Sequence, residues 1–256
     1  MQARTGKGDW IMNSKIMKFT KGLLCALALV PMVAFANEGG PHLDTAPDVS
    51  KDKLALQHGA KIFVNYCLNC HSASYMRYNR LKDIGLTEEQ IKDNLMFASD
   101  KVGELMQVAT RRDDAKKWFG AAPPDLTVIE RSRGADWLYT YLRSFYRDDS
   151  RPTGWNNVVF ANVGMPHVLW QLQGENRLHV EKKGEEEHKS LVLDKPGSLK
   201  PAEYDQTVAD LVGFLKYMGE PAAESRKSIG VFVLIAFAIL TVLSYLLKKN
   251  YWKDIH

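Results

Sequence analysis

Apolar residues recur at helical spacing in four stretches of the chain, and each stretch is bounded by residues that start or stop helices. From Lys53 to Tyr66, the side chains of Leu56, Ala60, Phe63 and Val64 fall on one face. Gly59, beside Ala60, would let the backbone of a second helix come close. From Thr87 to Thr110 the apolar positions are Ile91, Leu95, Val102, Leu105 and Met106. Thr87 with Gln90 three residues later has the form of a capping box, so the whole segment is predicted to be helical. Asp136 to Tyr146 is a short aromatic helix carrying Trp137, Leu138, Tyr141, Leu142 and Phe145. Pro201 to Met218 is the last of the four, with Tyr204, Val208, Leu211, Leu215 and Met218 on one side.

Other patterns separate these helices. Asn37 to Asp52 contains Gly39, Gly40, Pro41 and Pro47 and reads as an irregular entry. Ala122-Pro123-Pro124-Asp125-Leu126 breaks the chain between the second and third helices. Arg177 to Val180 and Ser190 to Leu193, flanking Gly184, are predicted to form a two-stranded hairpin with a charged tip. No internal repeat is visible.

Two apolar stretches near the ends have a different meaning. Lys15 to Ala36 has a basic start at Lys15, Lys18 and Lys21, an apolar stretch from Leu23 to Val33, and Ala34-Phe35-Ala36 as a small-x-small cleavage site. It is too short to span a bilayer, which takes about 20 apolar residues, and reads as a removable export signal. Met12 and Met17 are alternative starts within the leading stretch. Ile229 to Leu247 is a run of 19 residues without a charge, followed by Lys248, Lys249 and Lys253 with Tyr251 and Trp252 as interfacial aromatics. The expected organisation is therefore a signal over residues 1–36, an exported domain over 37–228, a transmembrane helix over 229–247 and a cytoplasmic basic tail over 248–256.

Charge sharpens that picture. The formal net charge of +4 is accounted for by the signal region, where Arg4, Lys7, Lys15, Lys18 and Lys21 face only Asp9. The chain after Ala36 is balanced in charge, which argues against a nucleic-acid partner. Glu185-Glu186-Glu187 and Asp148-Asp149 are candidate contacts for a basic protein, or simply solvated loops.

Cleavage after Ala36 would remove Cys25 and leave two cysteines, both in Cys67-Leu68-Asn69-Cys70-His71. This spacing is that of a c-type haem attachment site: two thiols for the porphyrin vinyl groups and an adjacent imidazole for the iron. Zinc or thiol redox chemistry also uses paired cysteines, but a zinc site would need further cysteine or histidine pairs that the sequence does not offer. His71 is then the proximal ligand. The fold class expected is mainly α: a c-type cytochrome haem domain with a small β-hairpin insertion and one C-terminal transmembrane helix.

The second axial position separates electron carriers from catalysts. Met76 is too near the motif to return across a haem plane, Met96 and Met106 lie in an apolar helix face, and Met218 is close to the membrane segment. Met165 sits in Asn162-Val163-Gly164-Met165-Pro166, where glycine permits close backbone approach and proline stiffens the loop. His167, two residues on, is the rival ligand. A carbonyl of the Pro123-Pro124 turn is a candidate acceptor for the His71 Nδ1 proton, which would orient the ring. Arg111 and Arg112 either pair with a haem propionate or form a solvated helix end.

These elements together resemble the cytochrome c1 family, the membrane-anchored haem subunit of the bacterial cytochrome bc1 complex. The resemblance spans nearly the whole exported chain. It is carried by Cys67 to His71 with Ser72 and Tyr75 following, by Ala122 to Leu126, by Gly164-Met165-Pro166, and by the anchor with its basic tail. It implies one covalently bound haem c on Cys67 and Cys70, with His71 and Met165 as axial ligands. It implies that Arg111, lying before Trp118-Phe119, contacts a propionate; the Pro124 carbonyl remains the expected partner of His71. The implied partners are cytochrome b, a Rieske iron–sulfur protein as donor and a cytochrome c as acceptor, within a dimeric quinol:cytochrome c oxidoreductase. The implied location is the inner membrane, crossed once, with the haem domain in the periplasm and the C-terminus in the cytoplasm. The isolated chain would have no catalysis of its own. Two alternatives stay open: a tethered cytochrome c serving another terminal oxidase or reductase, and a haem enzyme with an exchangeable sixth ligand.

Overall fold

The computed structural model describes residues 41–183 and 186–253. The expected signal over 1–36 and the Gly184 tip lie outside the described residues, as do the side chains of Glu186 and Glu187.

Helix α1 runs over Lys53–Ile62 and is started by Asp52, whose carboxylate accepts from the Leu54 and Ala55 amides at 2.9 and 3.2 Å. Ahead of the cysteine run it widens into a π-helical turn, Phe63–Cys67, with the Leu68 amide donating back to the Phe63 carbonyl at 2.9 Å. Such π turns are rare and cluster at functional sites. Here the wide turn delivers Cys67 to the core.

Strand β1 (Ala73–Arg77) follows, then a 3-10 segment (Tyr78–Ile84) and helix α2 (Glu88–Leu95). The capping box read from Thr87 and Gln90 is present: the Gln90 amide donates to Thr87 Oγ1 at 3.2 Å and the Thr87 amide to Gln90 Oε1 at 2.9 Å. The helix, however, ends at Leu95 rather than Thr110. Leu105–Met106 is strand β2, antiparallel to β1, and Tyr78 and Asn79 donate to the carbonyls of Glu104 and Val102 at 3.2 and 2.7 Å. The backbone groups that a longer helix would use internally are taken by the segment leaving the cysteine run. Long-range pairing overrides the helical spacing of Val102, Leu105 and Met106.

Helix α3 (Arg112–Phe119) precedes the double-proline turn, and a short α4 (Ile129–Arg133) leads into α5 (Ala135–Arg143). The expected helix to Tyr146 is also shorter than read. Asn157 Nδ2 donates to the Tyr141 carbonyl at 2.8 Å, and Phe145–Arg147 becomes strand β3, paired with β4 (Trp155–Asn157). A short α6 (Trp170–Gln173) opens the hairpin of β5 (Gly174–Lys183) and β6 (Glu186–Pro196). The two segments singled out in the sequence lie opposite one another, Arg177 facing Val192 and His179 facing Ser190. Helix α7 (Pro201–Gly219) and helix α8 (Ala223–Tyr251) complete the chain.

The core is built on α1 against α7. Phe63 and Phe214 meet with ring centroids 5.6 Å apart, both fully buried. Gly59 lies directly against α7: a Cβ there would collide with the Asp210 carbonyl and come within 2.8 Å of Phe214 Cβ. His58 Nδ1 pairs with the buried Asp210 carboxylate at 2.7 Å, so a polar tie sits beside the tightest contact. Helix α8 is of another kind. It contains 29 residues, none of them buried, and is the one helix among the described residues long and apolar enough to cross a membrane. The whole is mainly helical, with small strand pairs and one C-terminal apolar helix.

Candidate haem-attachment site

The cysteine run leaves the π turn as a tight loop. The amides of Cys70 and His71 both donate to the Cys67 carbonyl, at 3.1 and 2.9 Å, so the two thiols and the imidazole issue from one closed turn. Both cysteines are free; Cys67 is buried and Cys70 exposed. Burial, with Cys70 nearby adding to it, pushes the Cys67 thiol up to about 12. At neutral pH it is held as a thiol.

His71 Nδ1 lies 2.7 Å from the Pro124 carbonyl. A carbonyl can only accept, so Nδ1 carries the proton and Nε2 keeps the lone pair. Burial holds the imidazole below its usual range, and the Pro124 contact and Asp125 oppose that only partly. The ring is therefore presented neutral and with a defined tautomer.

The Pro124 carbonyl is itself held in place by a small network. The Asp125 carboxylate accepts from the Ser74 amide at 2.7 Å, the Thr127 amide at 2.9 Å and the Thr127 hydroxyl at 2.6 Å. Ser72 adds two bonds: its carbonyl accepts from Leu126 at 2.9 Å, and its Oγ accepts from the Val108 amide at 3.1 Å. Desolvation would raise the Asp125 carboxyl, but the Thr127 and Ser74 bonds outweigh it and hold it below the usual range. Strand β1 and the double-proline segment are thus stitched together on either side of His71. Asp125 is part of the chain-breaking segment in the sequence, but its side-chain role and that of Thr127 were not read there, although an aspartate two residues before a threonine is a familiar signal for a side-chain-closed turn.

Met165 is half-buried and packs against the same hydrophobic core that contains Cys67 and Leu68. Its Sδ accepts a hydrogen bond from the Tyr141 hydroxyl at 3.4 Å. Tyr141 is stacked on Trp137 at 4.8 Å and meets Phe145 edge-on at 5.0 Å. His167 is placed differently from Met165. It is 2% exposed, stacked flat on Phe145 at 4.9 Å and edge-on to Trp155 at 5.1 Å. Desolvation lowers its imidazole to about 4 despite a contact with Gln173, and its Nε2 is buried without a hydrogen-bond partner among the described residues. The ring serves as a packing element of the loop that bears Met165.

Arg111 is the residue before α3. Its guanidinium lies at the surface, 3.8 Å from Asp114. The aromatic pair after it, Trp118 and Phe119, is 68% and 57% exposed with rings edge to face, and Phe160 beside Trp137 is 47% exposed. A groove of about 250 Å³ at the hairpin root, lined by Trp170, Glu175, Lys195 and Gly197 among others, shares no residue with these groups. It lacks their donor set.

The residues present fit a haem. One neutral imidazole with an outward lone pair, one thioether sulfur with a lone pair to spare, two free thiols on a single turn and uncovered aromatic surface are what such a group requires.

A model of the Cytochrome C1 family matches residues 46–255. The chain is 50% identical to cytochrome c1 of Allochromatium vinosum, over 90% of this chain and 96% of that protein. It is also 50% identical to a protein of Nitrosomonas europaea named ammonia monooxygenase gamma subunit, over 94% of this chain and all of the relative. The cytochrome b/c1 of Bradyrhizobium diazoefficiens is 27% identical over 80% of this chain, which there occupies 34% of a longer protein.

Proposed function

The chain belongs to the cytochrome c1 family, and on that premise we propose that it is the one-electron carrier of a quinol:cytochrome c oxidoreductase. The observation that carries this reading is the pairing of His71 Nδ1 with the Pro124 carbonyl next to two free cysteines. A c-type haem held there supplies a one-electron iron couple. Cys67 and Cys70 would tether it covalently, and His71 Nε2 and Met165 Sδ would be its two protein ligands. Two protein ligands would leave no coordination site open to a substrate, which suits one-electron transfer rather than catalysis. The Asp125 network fixes the Pro124 carbonyl and through it the orientation of His71, which would keep the reorganisation that accompanies electron transfer small. Arg111 is the candidate for a propionate, exchanging its exposed contact with Asp114 for one with the haem.

Electrons arrive from a Rieske iron–sulfur protein and leave to a cytochrome c. Cytochrome b is the membrane partner of helix α8, in a complex that is dimeric. The fused cytochrome b/c1 relative supports proximity to a b-type cytochrome. The haem domain lies in the periplasm and the basic residues Lys248 and Lys249 lie in the cytoplasm, by the export signal and the charge rule. The Nitrosomonas relative's name supports a second reading, a subunit of an ammonia-oxidising assembly.

One experiment separates these. Membranes are solubilised in mild detergent and the chain is captured with its partners. Co-isolation of a b-type cytochrome and an iron–sulfur protein is expected; subunits of an ammonia monooxygenase in their place would overturn the partner assignment. On the same preparation Met165→Leu is expected to abolish the sulfur-to-iron charge-transfer band and lower the midpoint potential. An unchanged spectrum and potential would remove Met165 as ligand.

A further inference from the structure

Tyr141 is not part of the attachment run and offers no ligand to iron, yet its hydroxyl is aimed at the one thioether that does. The Oη–Sδ distance is 3.4 Å, within the range of a bond from a hydroxyl to sulfur, and Met165 Sδ is the acceptor of this O–H. The ring has little freedom to turn away. Trp137, one helical turn earlier on α5, stacks on it at 4.8 Å and 11°, and Phe145 closes the other side at 5.0 Å. Arg133 lies over Trp137 at 5.0 Å, and the column continues from Phe145 to His167, two residues beyond Met165. The same aromatic stack therefore grips the Met165 loop at two points, once through a polar bond to the sulfur and once through flat packing on His167.

We propose that Tyr141 is a positioning residue that holds the Met165 sulfur and raises the reduction potential of the haem by donating to it. This rests on the reading of Met165 as axial ligand. A thioether sulfur has two lone pairs; with one directed to iron, the other accepts from Tyr141. Donation withdraws electron density from the sulfur, which weakens it more as a ligand for the electron-poor ferric ion than for the ferrous one. The hydroxyl dipole also turns its positive end toward the sulfur, and so would disfavour extra positive charge on an iron bound there. Both effects have the same sign, and both use the levers by which protein surroundings set haem potentials.

The test uses the full chain in membranes, with three variants. Tyr141→Phe keeps the stack and removes only the hydroxyl. Its charge-transfer band is expected to persist, while the ferrous-to-ferric ratio at fixed ambient potential falls by about threefold or more, the size of one neutral hydrogen bond. Site-specific 3-fluorotyrosine at position 141, a stronger donor of the same shape, is expected to move the ratio the opposite way, and it serves should Tyr141→Phe fail to assemble. Met165→Leu reports on the ligand itself. If Met165→Leu loses the band but neither change at Tyr141 alters the ratio, the inference is overturned and the ligand reading survives. If the unmodified protein has no such band, the ligand reading fails and takes the inference with it.

Discussion

The imidazole of His71 and the carbonyl of Pro124 are 2.7 Å apart although 53 residues separate them in the chain. No side chain of Pro124 is involved, so the contact depends on the turn and not on a replaceable group. What fixes the turn is Asp125.

Asp125→Ala removes the acceptor for the Ser74 amide, the Thr127 amide and the Thr127 hydroxyl at once. The loss is expected to cost about 2 kcal/mol of stability, since buried donors are left unpaired. The potential should rise as well: a firm carbonyl partner on Nδ1 makes imidazole a better donor to ferric iron, and a loosened one does so less. Denaturant unfolding and redox titration of the same variant check both. Thr127→Val, which removes one of the three bonds, should lie between wild type and Asp125→Ala on both scales.

Gly59 is where a single methyl group would do the most damage. In α1 it faces the Asp210 backbone of α7, and an added Cβ has nowhere to go because backbone atoms cannot rotate aside. Gly59→Ala is expected to destabilise the domain by about 3 kcal/mol despite the better helix propensity of alanine. Thermal unfolding reads this directly. A stability equal to or above wild type would mean that the two helices can separate at no cost.

Much of this was legible before any fold was drawn. The close approach at Gly59, the Thr87 cap, the pairing of the strands that contain Arg177 and Ser190, and the anchor all follow from local pattern, because helix starts, strand alternation and apolar runs are written in adjacent residues. What was not legible depends on contacts far apart in the chain. Met106 has helical spacing from Ile91, yet its backbone pairs with the strand that follows His71. Tyr141 reads as one more apolar-face aromatic until the loop bearing Met165 is seen folded over it. Its hydroxyl is the only hint, since a tyrosine in a buried row needs a partner for its O–H.

The hairpin root carries the clearest pH dependence. Arg147 grips the Glu175 carboxylate with two bonds at 3.1 and 3.0 Å, and Lys195 adds a third at 3.2 Å. The Arg147 guanidinium, itself 3.9 Å over the Trp155 ring, holds the carboxyl down to about 2. Its unfolded value is that of an ordinary glutamate, near 4.5. The folded pKa is depressed, so the contribution is complete above about pH 4.5 and is lost as pH falls from there toward 2. Glu175→Gln removes this dependence. The difference in melting temperature between wild type and variant should be largest above pH 5 and shrink steadily below pH 4; a difference that stays constant would sink the assignment.

Helix α8 makes the last prediction, because its stretch 229–247 carries no charge while none of its residues is buried against the rest of the described chain. A helix that contributes nothing to the core should be removable without unfolding it. A chain ending at Ser228 is expected to be exported, to carry covalent haem with an unaltered charge-transfer band, and to appear in the soluble periplasmic fraction. The full-length chain should stay with the membrane after a high-salt wash, since apolar burial of a spanning helix is not screened by ions. A tag placed after His256 tests the direction of crossing. With Lys248 and Lys249 on the inner side, protease added to spheroplasts should digest the haem domain and leave the tag intact. A tag cleaved by external protease would reverse the topology and with it the compartment assigned to Cys67 and Cys70.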